Sequence, residues 1–211
     1  MDTKINVKYD SKEERYFSYY VDELLEAGYL VSAEYHPTPF ELCSETTVLA
    51  RTTKRNKSVD KSIKLTGKHV YTADWRLIWN MNADVKMYWC EFDEKSEFYS
   101  VEVFHELPDG RVRALSHVDV KGGFKGKNNN SAITFPINQK WVMDKFGIFV
   151  QKIIVSTDKK SIFAKTFTPK KVVEEEVYKK DNIKRGIKAG DSKLKYKPIS
   201  LEQYVYNQKC R

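Results

Sequence analysis

The chain has 211 residues, 41% hydrophobic and 31% charged, enough for one domain with a core plus an appendage and ordinary for a soluble globular protein. No apolar run approaches the roughly 20 residues that span a bilayer, the Met1-Asp2-Thr3-Lys4 start lacks the apolar stretch of a signal peptide, and Cys43, Cys90 and Cys210 are too few and too scattered for a disulfide framework or a zinc motif, so a reducing cytoplasm is expected. The net charge of +8 is uneven: residues 151–211 hold 16 basic and 7 acidic residues, a net +9, while the first 150 residues total −1, which favours a polyanionic partner, nucleic acid before an anionic membrane surface.

Asp10-Ser11-Lys12-Glu13-Glu14 opens a helix, with Ser11 as cap and Glu14 where a capping box puts its acid. Phe17, Tyr20, Val21, Leu24 and Leu25 form its apolar stripe, and Gly28 stops it. Tyr29 to Leu42 reads as extended, interrupted by Pro37 and Pro39. Thr46 to Lys68 reads as exposed strands or a long loop, with Lys54-Arg55-Asn56-Lys57 as a solvated tip. His69 to Trp79 reads as one strand, with Tyr71, Ala73, Trp75, Leu77 and Trp79 on one face. Asp74 lies on its other face and, if buried, must be paired, protonated or metal-bound; an ion pair with Arg76 or another cation is the plain alternative.

Asn80 to Lys95 reads as an excursion with a short strand around Met87 to Cys90. Phe98 to Glu106 is a strand, and Pro108-Asp109-Gly110 turns the chain into another, Arg111 to Lys121. In that strand Asp119 and Lys121 share one face while Val118 and Val120 point into a core. Gly122 and Gly123 end it and admit close approach. By themselves Asp119 and Lys121 can be an ordinary surface ion pair. Phe124 to Ser131 reads as a loop and Ile137 to Phe146 as a helix, with Gln139 and Lys140 in its first turn and Gly147 at its end. Ile148 to Val155 is a buried strand, Ser161 to Thr168 a shorter one, and Val172 to Lys180 a helix. Asn182 to Lys197 reads as loose. His36, His69, His105 and His117 show no metal-ligand spacing, although His117 shares the face of Asp119 and Lys121. No phosphate-binding glycine loop is present, so no nucleotide cofactor is expected.

The order is a helix with Glu14, a strand with Asp74, a strand with Asp119-x-Lys121, a helix, and a strand. This resembles the PD-(D/E)xK nuclease superfamily. Tyr71-Thr72-Ala73-Asp74-Trp75 stands for its first acid, with Ala73 in the place of the proline. Val118-Asp119-Val120-Lys121-Gly122 stands for its acid-x-lysine. Ser11-Lys12-Glu13-Glu14 is similar to the Ser-Lys-x-Glu start of phage-type Holliday-junction resolvases. The resemblance covers about residues 7–155. It implies an α+β, restriction-endonuclease-like core, a central mixed sheet flanked by helices, over residues 1–168, with a basic extension over 169–211.

The resemblance further implies a catalytic set of Glu14, Asp74, Asp119 and Lys121. Mg²⁺ or Mn²⁺ would be held by Asp74, Asp119, the Val120 carbonyl and Glu14, because hard oxygens suit these ions. Lys121 would position water or stabilise the phosphorane. Gln139 and Lys140 are candidate phosphate contacts, or simply a helix surface. The expected activity is a phage or mobile-element endonuclease on duplex or branched DNA in the host cytoplasm, with a homodimer as the form that cuts paired strands. The alternatives are a non-catalytic DNA-binding protein that keeps the fold and a phage accessory protein in which the motif is coincidental.

Overall fold

The computed structural model describes residues 8–54, 57–80, 104–106, 112–122, 130–177 and 194–210. The strand expected at Met87 to Cys90, the Pro108-Asp109-Gly110 turn, Gly123 and most of the stretch expected to be loose lie outside them.

Helix α1 (Lys12–Glu26) begins where the sequence caps it: Ser11 Oγ accepts from the Glu14 N–H at 3.1 Å. It ends at Ala27, after which Gly28 takes φ +75°, a conformation that favours glycine. The chain continues through β1 (Leu30–Tyr35), β2 (Phe40–Cys43), β3 (Thr46–Lys54), β4 (Lys57–Thr66), β5 (His69–Tyr71) and β6 (Trp75–Trp79). Then follow β7 (Phe104–Glu106), β8 (Val112–Gly122), α2 (Asn130–Phe146), β9 (Val150–Val155), α3 (Ile162–Lys165), α4 (Lys170–Val177) and α5 (Leu201–Lys209).

The central sheet is mixed. β1, β6 and β8 run antiparallel in that order. The far edge of β8 is shared: β7 pairs antiparallel with its first residues, and β9 pairs parallel with His117 to Gly122. A parallel neighbour needs a crossover, and α2 supplies it. β2 and β5 form one two-stranded sheet, and β3 and β4 another.

Alternation along β8 separates two environments. Val118 and Val120 join Phe17, Tyr20, Leu24 and Leu77 in the larger core. A second core of Leu42, Tyr71, Ala73, Phe135, Val142 and Val150 lies beneath α2. The residues after Pro169 contribute to the larger core: Val172, Leu201 and Tyr204 are buried in it. Glu175 grips Arg15 with two hydrogen bonds of 3.0 and 2.7 Å, and Glu176, almost fully buried, receives the Tyr16 hydroxyl and the Lys12 ammonium.

Three sequence expectations are corrected. The run His69–Trp79 is not one strand: it divides into β5 and β6, in different sheets, with Thr72 to Asp74 between them. α2 begins at Asn130, not Ile137, and keeps Pro136 inside it, because Phe135 and Val142 are both drawn into the second core. Gln139 and Lys140 therefore lie in mid-helix. Ser161 to Thr168 is not a strand; Ser161 caps α3 by accepting from the Phe163 N–H, and a short apolar run of this length fits either state. α5 was not expected from the sequence. Among the described residues no helix is long and apolar enough to cross a membrane.

Phe167 is fully buried and stacks on Tyr20 with ring centroids 4.3 Å apart. Phe167→Ala is expected to cost about 3–5 kcal/mol in a denaturant titration. Leu49→Ala, at an 83% exposed position of β3, should change stability by less than about 0.5 kcal/mol.

Candidate active site

The register of β6 against β8 sets Trp75 opposite Val118, which brings Asp74, one residue before β6, to the level of Asp119 and Val120. The ladder stops there. The Asp74 carboxylate takes over as acceptor, receiving the Val120 N–H on Oδ2 at 2.6 Å. Two residues that are 46 positions apart in sequence are thereby joined. The Arg76 alternative does not hold, because Arg76 pairs with Glu34 on β1 at 2.6 Å.

Asp119 is buried and paired with the Lys121 ammonium on the same strand face. Its Oδ2 accepts a hydrogen bond from the Tyr71 hydroxyl at 2.6 Å. Its Oδ1 is buried without a hydrogen bond and faces the Lys121 ammonium, its ion-pair partner. Lys121 also lies over the Phe135 ring, 5.6 Å from its centroid. Asp74, Asp119 and Lys121 thus converge, with the Val120 backbone between the last two.

Glu14 approaches from the first turn of α1. Its carboxylate receives the Tyr35 hydroxyl at 2.5 Å, the Ser11 hydroxyl at 2.7 Å and the Asp10 N–H at 3.3 Å. It groups with Asp10 and His36, their ligand atoms within 4.8 Å of one another. Among the described residues no other trio of such ligands lies this close, so Glu14 is near enough to Asp74 to raise its pKa but completes no three-carboxylate cluster with Asp74 and Asp119. His36 links the two groups, since its backbone N–H donates to the Asp74 backbone carbonyl at 2.9 Å.

The remaining expected residues divide. Gln139 donates from Nε2 to the Val150 carbonyl at 2.6 Å, a bond that holds α2 to the start of β9. Lys140 is exposed. His117 is buried edge-on against Phe40. Gly122 admits the Glu13 side chain: a Cβ there would meet Glu13 Oε1 at 3.1 Å.

Tyr71, Asp10 and His36 join the site without a sequence signal that marks them. Tyr71 shares a buried face with Ala73 and Trp75, but its hydroxyl reaches Asp119. His36 meets Glu14 from another element, which no spacing within one segment reveals.

Burial pushes the Asp74 carboxyl up to about 7, helped by the charge of Asp119 and more weakly of Glu14, against the Val120 N–H and Lys121. The Tyr71 phenol is pushed far up by burial and then by Asp119, so it stays a donor. Such a set, a lysine and two carboxylates with one poised near neutrality, can move a proton or hold a hard cation. Compared with known proteins, the chain matches no family model, no curated protein and no solved structure.

The raised Asp74 value gives a pH signature. The folded protein holds this proton more tightly than the unfolded chain, whose aspartate titrates near 3.8. The associated stability is full below about pH 4 and lost as pH rises towards 7, by up to about 4 kcal/mol. Asp74→Asn should remove this slope, so that in EDTA its stability gain over wild type grows between pH 4 and 7. Denaturant midpoints across that range test it.

Proposed function

We propose that this protein is a divalent-metal-dependent DNA endonuclease with a PD-(D/E)xK, restriction-endonuclease-like core, acting on duplex or branched DNA. The observation that carries the reading is the 2.6 Å hydrogen bond from the Val120 N–H to the Asp74 carboxylate. It joins an acid at the start of one strand to an acid-x-lysine on the next. The element order supports the reading: α1, antiparallel β1, β6 and β8, crossover α2 and parallel β9 follow the sequence of elements that the resemblance implies.

The donor set fits Mg²⁺ or Mn²⁺. Asp74, Asp119 and the Val120 carbonyl offer hard oxygens, and Asp119 Oδ1 already faces one cation, the Lys121 ammonium, which a metal ion would displace from it. A bound ion would supply Lewis acidity and lower the pKa of a water ligand. Tyr71 fixes the orientation of Asp119. Lys121 is positioned to hold the attacking water or to stabilise charge on the phosphoryl oxygens. Asp74, titrating near neutrality, can exchange a proton at its carboxyl. Glu14 is a rim residue, and Lys140 is the better phosphate contact of the α2 pair, because Gln139 is engaged with Val150. Junction resolution or other DNA processing in a phage or mobile element is the setting, with two copies cutting paired strands.

In a cleavage assay on labelled linear and four-way-junction DNA, wild type should cut with Mg²⁺ or Mn²⁺ and not in EDTA. Asp119→Ala, Asp74→Ala and Lys121→Ala should each lose at least about 10²-fold. Salt-sensitive DNA binding by wild type without cutting would overturn the reading in favour of a non-catalytic DNA-binding protein that keeps the fold.

A further inference from the structure

The β3–β4 ribbon takes no part in either core. Its nine and ten residues pair in continuous antiparallel register from Thr47↔Lys64 to Lys54↔Lys57, and no other element packs extensively against either strand. Every described side chain from Thr46 to Thr66 is exposed except the half-buried Ala50. A two-stranded ribbon alone in water is marginal, so one of this length points to a partner.

Composition indicates what that partner is. Residues 46–66 hold six basic residues (Arg51, Lys54, Arg55, Lys57, Lys61, Lys64) against one acid, Asp60, a net +5. The two faces differ. On one, Arg51 is paired with Asp60 at 2.9 Å, and Lys64 is paired with Glu45. On the other, the register aligns Val48 with Ile63, Ala50 with Lys61, Thr52 with Val59 and Lys54 with Lys57. By register the positions of Lys54, Lys57 and Lys61 fall on that face, and no acidic position does. Its larger apolar members are part-exposed: Val48 40%, Val59 49%, Ile63 38%.

We propose that this acid-free face of the β3–β4 ribbon is a DNA-groove arm that lies along the duplex beside the cleavage site; the inference rests on the nuclease reading above. The ribbon is about 30 Å long at roughly 3.3 Å per residue. The major groove, about 12 Å wide, admits a two-stranded ribbon. Lys54, Lys57 and Lys61 meet phosphates, and the apolar and threonine side chains meet sugars and thymine methyls. The ribbon returns through β5, whose Tyr71 holds Asp119, so DNA seated on the arm runs towards the site.

The test is duplex binding by the full chain, followed by fluorescence anisotropy in EDTA at 50–300 mM salt. Lys54→Ala/Lys57→Ala/Lys61→Ala should lower the log–log salt slope by about 3 and weaken binding at 0.1 M salt by roughly 10²-fold or more. Arg51→Ala/Lys64→Ala, on the opposite face, should change the slope by less than about 1. Equal affinity and slope for wild type and the triple variant would overturn the arm while leaving the nuclease reading intact. Loss of a dimer by the triple variant at unchanged DNA affinity would also overturn it and assign the face to a second copy of the chain. Absence of duplex binding and of cleavage by wild type would overturn both readings.

Discussion

The register of β8 is the constraint on which the rest of the structure depends. This strand is bonded along both edges, to β6 on one side and to β7 and β9 on the other. A slip of one residue would turn Asp119 and Lys121 into the core of Phe17 and Tyr20 and expel Val118 and Val120. Burying a carboxylate on a central strand is costly unless it is paired and hydrogen-bonded. Here Lys121 supplies the charge and Tyr71 the hydrogen bond. The same pairing that makes the strand tolerable concentrates reactive groups at one end of the sheet.

Asp74 depends on that register from outside the ladder. Its carboxylate sits just before β6 begins, accepting the Val120 N–H where the β6–β8 ladder gives out. One side chain thus closes the ladder, satisfies a backbone donor and presents an acid to Asp119. Burial beside a like charge raises its pKa.

The charge distribution has a comparable logic. The first 150 residues total −1, of which the ribbon is +5, so the remainder is −6. Residues 151–211 carry +9. The excess positive charge of the sequence is therefore confined to the ribbon and to the last 61 residues. The extension is also structural, since Glu175 and Glu176 reach back to Arg15, Tyr16 and Lys12, and Val172, Leu201 and Tyr204 are buried with α1.

What the sequence by itself determined was local. Capping and helical periodicity specified α1 from Ser11 to Gly28, and period-two alternation specified that Asp119 and Lys121 oppose Val118 and Val120. These follow from nearest-neighbour geometry, which tertiary contacts did not override. The tertiary structure alone decided where the run His69–Trp79 breaks, because the break is made by a bond to a residue far along the chain. It decided that α2 runs through Pro136, because Phe135 and Val142 had a core to enter. It decided that the run Ser161 to Thr168 holds a short capped helix, Ile162–Lys165, since a short apolar run is compatible with either state. It also decided the company of Glu14. The capping position was legible, but the turn towards Tyr35, Asp10 and His36 depends on where β1 ends beside α1, and no spacing within one segment encodes that.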